Sequence, residues 1–153
     1  MKQIVQPIGG GPVEVLDVPC PAPEATEVLV RTVASVISPG TERAVTALAQ
    51  SSLLAKARAD GLGATRQAVA GRLAEDLPLG YSAAGVVVSA GPAVTGVRPG
   101  QLVATGGAGK ASHAEYQVVP GLLCAAVPDG VPAQDAAFTT IASIALHLSL
   151  IHI

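Results

Sequence analysis

The sequence predicts a mainly β fold with some helix: a partly open barrel carrying a helical insertion and a C-terminal helix. Three features point to it. Short apolar stretches recur between Gly and Pro residues at close intervals, as in sandwiches and barrels. The strand–helix–strand alternation of a parallel sheet is missing. One segment, from Thr41 to Asp76, instead places Ala, Leu, Arg and Gln at helical spacing. A chain of 153 residues fits one domain, and folding at that size buries roughly 68 to 70% of the surface the unfolded chain exposes. Half of the residues are hydrophobic and 13% are charged, which excludes intrinsic disorder.

The first strand is expected at 3–5 and the second at 14–18, after the turn Gly9-Gly10-Gly11-Pro12. Pro19, Pro21 and Pro23 then punctuate a loop. Over 27–37 the residues Val28, Val30, Thr32 and Ala34 alternate with Leu29, Arg31, Val33 and Ser35, the period of a strand, which stops at Ser38-Pro39-Gly40. Two helices joined near Asp60-Gly61 follow, with apolar faces at Val45, Leu48 and Ala49 and at Ala68, Val69 and Leu73. Strand chemistry returns over 79–90, where Val86-Val87-Val88 is a continuous apolar run. Gly91, Pro92, Gly96, Pro99 and Gly100 mark the turns before strands at 102–103, 114–119 and 122–127.

A last helix is expected over 132–147, because Pro132 suits a first turn. Residues 136–153 carry no Asp, Glu, Lys or Arg, which touches the length of a membrane span. The Ala- and Thr-rich start with Asp135 just upstream reads instead as a buried helix of a soluble domain. The closing Leu-Ser-Leu-Ile-His-Ile of 148–153 brings no cap or turn signal and reads as a truncated or foreign tail. The division is therefore a domain over 1–131 with an insertion at about 42–76, an outgoing helix over 132–147, and the tail.

Composition removes several classes of function. A net charge of −2 with dispersed Lys and Arg gives no basic stripe for nucleic acid. Cys20 and Cys124 form no Cys-x-x-Cys pair and the N-terminus lacks a signal-peptide core, so a reducing cytoplasm is expected. Three His and two Cys without ligand spacing argue against a metal site. Cys124, inside an apolar strand, reads as a small buried hydrophobe. Tyr81, Tyr116 and Phe138 are the only aromatics, which singles out Tyr81 at a motif position.

Glycine clusters test poorly as phosphate loops. Gly61-Leu62-Gly63-Ala64-Thr65-Arg66 has Arg where the third small residue of a dinucleotide fingerprint belongs, and no strand precedes it. Gly106-Gly107-Ala108-Gly109-Lys110 is flanked by Ala104 and Ala111, so it lacks the first glycine and the magnesium hydroxyl of a Walker loop. Gly9-Gly10-Gly11 precedes a strand, not a helix.

Five segments stand in a telling order: Ile37-Ser38-Pro39-Gly40-Thr41-Glu42; Leu79-Gly80-Tyr81-Ser82-Ala83-Ala84-Gly85-Val86-Val87; Gly96-Val97-Arg98-Pro99-Gly100-Gln101-Leu102-Val103; His113-Ala114-Glu115-Tyr116; and Val127-Pro128-Asp129-Gly130-Val131. Together they resemble the GroES-like N-terminal domain of medium-chain dehydrogenases/reductases of the alcohol dehydrogenase kind, along most of the chain. The nearest resemblance is to bacterial two-part oxidoreductases in which such a dehydrogenase is followed by a Gfo/Idh/MocA-like module. Bacteriochlorophyllide dehydrogenases carry a similar Ile-Ser-x-Gly-Thr-Glu with Gly-Tyr. The chain departs from the pattern in a shorter helical insertion and in Gln101, where Asp is common. In zinc-dependent members the first two segments carry a cysteine and a histidine ligand; Ser38 and Tyr81 stand there, and a third ligand position falls near Thr140.

The resemblance thus implies a zinc-free, NAD(P)(H)-dependent oxidoreductase acting on a small molecule, with its Rossmann domain missing from this stretch and a possible homo-oligomer in the parent. The fragment alone is expected to be inactive and to bind no nucleotide tightly. Without zinc, Tyr81 is the candidate proton donor, since a phenol with a pKa near ~10 can hydrogen-bond a developing oxyanion. Ser38 and Thr41 are candidates to position that oxygen or relay its proton, and Glu42 to orient a hydroxyl or a cofactor amide; Gly40 and Thr140 are expected beside the cofactor. Each has a plainer alternative. Tyr81 is a barrel-wall ring tied to a backbone carbonyl, Ser38 a loop hydroxyl, Glu42 a helix-capping carboxylate, and the whole chain a non-enzymatic GroES-like scaffold. His113 is expected at the surface at a strand end, and Tyr116 in the barrel wall.

Overall fold

Strands form where the sequence alternates, and they assemble into two antiparallel sheets. The computed structural model describes residues 1–7, 12–44, 47 and 76–152. The smaller sheet has the order β2-β1-β4, with β1 at Lys2–Pro7, β2 at Glu14–Asp17 and β4 at Asp76–Pro78. The larger is a curled half-barrel of order β7-β3-β5-β6-β8. Its strands are β3 (Glu27–Ser35), β5 (Ser82–Ala90), β6 (Leu102–Gly106), β7 (Tyr116–Pro120) and β8 (Cys124–Ala126). This is the mainly β, GroES-like architecture that the sequence predicts, with its C-terminal helical segment in place. The expected helices of the insertion and the Gly9 and Gly61 clusters lie outside the described residues, apart from a helical turn at 39–44. Asp76, expected to end the insertion, opens β4 and pairs with Pro7.

Irregularity curls the larger sheet. β3 shifts register against β5 twice, between Leu29 and Val30 and between Thr32 and Ala34, and such bulges bend and twist a strand. The two strands also approach closely at Gly85, where any Cβ would collide with the Arg31 carbonyl and Val30. The concave face is lined by Val28, Val30, Val87 and Val103, each at most 2% exposed. Burying each such valine contributes about 1.5 to 3 kcal/mol.

One polar residue sits among them. Gln117 is 2% exposed on β7, on the same parity as Val119. Its Nε2 donates to Thr32 Oγ1 at 2.9 Å on β3 and to the Ser112 carbonyl at 3.3 Å, while its Oε1 accepts from Thr105 Oγ1 at 2.9 Å on β6. Since β7 and β6 are separated in the sheet by β3 and β5, this amide spans the inside of the curl. Tyr116, expected in the wall, stands on the opposite parity and is half-buried.

The other face is covered by helix. α1 (Ala133–Ala136) packs Ala133 and Ala136, with Ala137, onto Ala84, and Ser82 Oγ donates to the Ala137 carbonyl at 2.6 Å. Small side chains on both partners let the helix lie close to the strand. The single helix expected over 132–147 is instead two, because the chain breaks at Ala137–Phe138 and restarts as α2 (Thr139–Leu150). α2 runs through 148–150, so the residues read as a foreign tail continue a helix. The expectation of a buried helix holds at Ala133, Ala136 and Ala137 and is corrected for α2. No residue of α2 is buried, and Ile144, Leu146, Leu148 and Leu150 are each more than half exposed, since only its first turns reach β5 and β6. No helix among the described residues is long and apolar enough to cross a membrane.

Replacing Gln117 by Leu leaves the Thr32 and Thr105 hydroxyls and the Ser112 carbonyl without this partner in a dry interior. The expected cost is about 1 to 3 kcal/mol, read as a lower urea midpoint at unchanged m-value; a neutral or stabilised variant would show that the bridge is dispensable.

Candidate functional site

Three strand termini meet at one end of the larger sheet. β3 leaves at Ser35, β5 arrives at Ser82 and β6 leaves at Gly106, with Ser82 paired to Gly106 and the Val36 N–H donating to the Ser82 carbonyl at 3.0 Å. Segments leaving this end carry the residues that the sequence singled out. Tyr81 directly precedes β5, and its carbonyl accepts the Gly107 N–H at 2.9 Å. Thr140 arrives on α2 with Oγ1 at 2.8 Å from where a Cβ on Gly106 would stand. Ser38 follows β3 by three residues. Ser38, Tyr81 and Thr140, far apart in sequence, thus flank one sheet end.

Ser38 opens the turn at 39–44, with Pro39 in the first helical position where its missing N–H costs nothing. Its carbonyl accepts the Glu42 N–H at 3.0 Å, its Oγ donates to Thr41 Oγ1 at 3.1 Å, and its N–H donates to Glu42 Oε1 at 3.4 Å. The Glu42 carboxylate thus accepts the N–H at the start of its turn, one half of a capping box, while Ser38 Oγ bonds the Thr41 side chain instead of a backbone N–H. Gly40 is exposed, and a Cβ there would meet no described atom within 4 Å. Tyr81 is half-buried, and its hydroxyl makes no hydrogen bond to a described residue, unlike a wall tyrosine tied to a carbonyl.

Glu42 has a second role that the sequence did not suggest. Its Oε1 lies 3.0 Å from His113 Nε2, and His113 Nδ1 lies 2.8 Å from Ser35 Oγ. The expected surface histidine is therefore buried, 6% exposed, and engaged at both ring nitrogens. Its backbone is fixed as well, because its N–H donates to the Leu79 carbonyl at 2.7 Å and its carbonyl accepts the Ile4 N–H at 2.8 Å. Leu79 N–H in turn donates to the Ile4 carbonyl at 3.1 Å, so three segments close a ring where the two sheets meet. Gly80 makes this possible. It takes φ +98°, and a Cβ there would stand 2.9 Å from the His113 nitrogen and 3.0 Å from its ring. The signal open to sequence reading was modest: one histidine within the strand-forming part of the chain, just before a motif strand.

The donors at the sheet end are hydroxyls. Ser38, Tyr81 and Thr140 carry neutral hydroxyl oxygens, not the thiolates and imidazoles that zinc sites favour. Among the described residues no three His, Cys, Asp or Glu converge on a metal-sized space. Elsewhere, burial pushes the Cys124 thiol up to about 11, which keeps it protonated; expected as a buried hydrophobe, it is half-buried against the valine core. The Glu27 carboxyl is held below its usual value by the Glu24 N–H, aided by Lys110 at 3.3 Å.

Known structures share this architecture. The chain has the fold of the N-terminal part of medium-chain dehydrogenases/reductases. An alcohol dehydrogenase superfamily protein from Novosphingobium aromaticivorans superposes with a TM-score of 0.64 at 26% identity, over 90% of this chain and 37% of that one. A quinone oxidoreductase from Pseudomonas syringae gives 0.63 at 24% identity over 89% and 36%. Galactitol-1-phosphate dehydrogenase from Escherichia coli gives 0.65 at 21% identity over 90% and 41%. The chain thus spans well under half the length of these proteins. No family model and no curated protein sequence matches it.

Gly80 and Gly96 both take positive φ, yet only Gly80 faces a neighbour within 4 Å. Gly80→Ala is therefore expected to lower stability by about 1 to 3 kcal/mol more than Gly96→Ala, compared by thermal unfolding. Equal losses would mean that the contact with His113 imposes nothing.

Proposed function

We propose that this chain is the substrate-binding half of a zinc-independent, NAD(P)-dependent oxidoreductase of the medium-chain type, acting on a carbonyl, an alcohol or an activated double bond. One observation supports the proposal: the segments carrying Ser38, Tyr81 and Thr140 flank one end of a sheet whose fold is shared with dehydrogenases. One of the neighbouring structures is an Escherichia coli quinone oxidoreductase in complex with NADPH, similar at 18% identity with a TM-score of 0.63 over 90% of this chain and 36% of that one.

Bound nicotinamide would supply hydride chemistry. Its phosphates are assigned to a nucleotide-binding domain in cis, as the family resemblance implies, and this chain alone is expected to be inactive and to hold no nucleotide tightly. The exposed apolar side chains of α2 give such a domain a surface to cover. Our reading keeps the partners as expected from sequence: a small-molecule substrate, a cytoplasmic setting, a possible homo-oligomer and a possible Gfo/Idh/MocA-like module downstream.

The chain's own residues handle the substrate oxygen. Tyr81, with a hydroxyl uncommitted to described neighbours, donates a proton to that oxygen as charge develops on it. Ser38 and Thr41, bonded to each other, hold the oxygen in line, while Gly40 leaves room beside them and Thr140 faces the cofactor edge.

Tyr81→Phe tests the reading in the protein that joins this chain to its nucleotide domain. The ring and its packing stay, so folding is unaffected, but kcat for carbonyl reduction is expected to fall by about 10² to 10⁴. Full turnover in the variant, or a parent with no NAD(P)H-dependent activity, would favour a scaffold.

A further inference from the structure

We infer that Ser35, His113 and Glu42 form a proton path that connects the candidate site with a second opening on the protein surface. The inference rests on the oxidoreductase reading, because every carbonyl reduced consumes a proton that the site must recover. The three groups are in continuous hydrogen-bond contact, 2.8 Å from Ser35 Oγ to Nδ1 and 3.0 Å from Nε2 to Glu42 Oε1. They also differ in access. Ser35 is exposed, the His113 side chain is 5% exposed and that of Glu42 17%, so the path runs from solvent through a dry segment to the capped turn.

The outer end opens into a cleft of about 340 Å³ where the two sheets meet, lined by Lys2, Ile4, Thr32, Ser35, His113 and Glu115. The inner end is the Glu42 carboxylate, on the same turn as the bonded hydroxyls of Ser38 and Thr41.

Chemistry gives the path a direction. An ionised carboxylate only accepts, so Nε2 carries the hydrogen toward Glu42 and Nδ1 of the neutral ring accepts from the Ser35 hydroxyl. Partners on both nitrogens in series, with one end wet, let a ring take a proton on one side and release one on the other. Starting from ionised Glu42 and the Nε2–H ring, Nδ1 takes a proton from the Ser35 hydroxyl, which recovers its own from solvent, and Nε2 gives its proton to Glu42. The Glu42 carboxyl passes that proton through the hydroxyls of the turn to the Tyr81 oxygen, which has protonated the substrate. The ring is left as its Nδ1–H tautomer, and its rotation returns the N–H to the Glu42 side before the next turnover; alcohol oxidation runs the same transfers in reverse.

Ser35→Ala cuts the path at its exposed end and leaves the buried core in place. In the 153-residue chain, followed by NMR, it is expected to slow solvent exchange of the His113 Nε2 hydrogen by about tenfold with unchanged thermal stability. In the protein with its nucleotide domain, both Ser35→Ala and His113→Gln, whose amide keeps one hydrogen bond but passes no proton, are expected to lower kcat about tenfold. KM should stay put and the solvent deuterium isotope effect should rise. Exchange and kcat unaffected by Ser35→Ala would overturn the path. Slowed exchange in this chain, with a parent protein that shows no NAD(P)H-dependent activity, would keep the hydrogen-bonded path and remove the oxidoreductase reading.

Discussion

The junction at His113 fixes most of what surrounds it. Its backbone closes a ring with Ile4 and Leu79 that joins the small sheet to the half-barrel, and its side chain ties Ser35, at the end of β3, to Glu42 on the following turn. A buried histidine is tolerated only when its ring nitrogens are satisfied, and here both are. The consequence is positional: the turn that presents Ser38 and Thr41 is held from below by Glu42 and cannot drift with its loop. Gly80 must lack a side chain for the same reason, so the residue before Tyr81 is set by the residue that anchors Glu42.

Gln117 plays the corresponding part inside the barrel. A five-stranded sheet that curls without closing leaves a gap between its outer strands, and an amide reaching from β7 to Thr105 on β6 spans part of it. Among the described residues no buried side-chain nitrogen or oxygen lacks a partner, so the polar interior is consistent with a stable sheet. Shape alone does not decide chemistry. Proteins sharing this fold range from a quinone oxidoreductase to a sugar-phosphate dehydrogenase, so the chemistry has to be argued from this chain's own side chains.

Much of the fold was legible in the sequence because its signals are local. Alternation over 27–37, the Gly and Pro turns and the valine run each report on neighbours a few residues away, and the strands appear within a few residues of where they were expected. The ordered motifs singled out Ser38, Tyr81 and Thr140, whose segments flank one sheet end. His113 did not, since its partners lie 71 and 78 residues away and nothing near it in sequence marks it as buried. Gln117 was hidden likewise, with a partner 85 residues distant, although its parity with Val119 placed it on the inner face. The helix break at Ala137–Phe138 escaped because Ala, Phe and Thr carry no breaker signal; it arises from packing, where Ser82 takes the Ala137 carbonyl.

We propose that hydroxyls stand where zinc-dependent members of the resembled family hold a metal. This is tested most directly by the zinc content of the protein after exposure to excess zinc and exhaustive desalting, measured by elemental analysis. The account predicts far less than one zinc per chain, unchanged by Tyr81→Phe. One tightly held zinc per chain, lost on substituting Ser38, Tyr81 or Thr140, would contradict it.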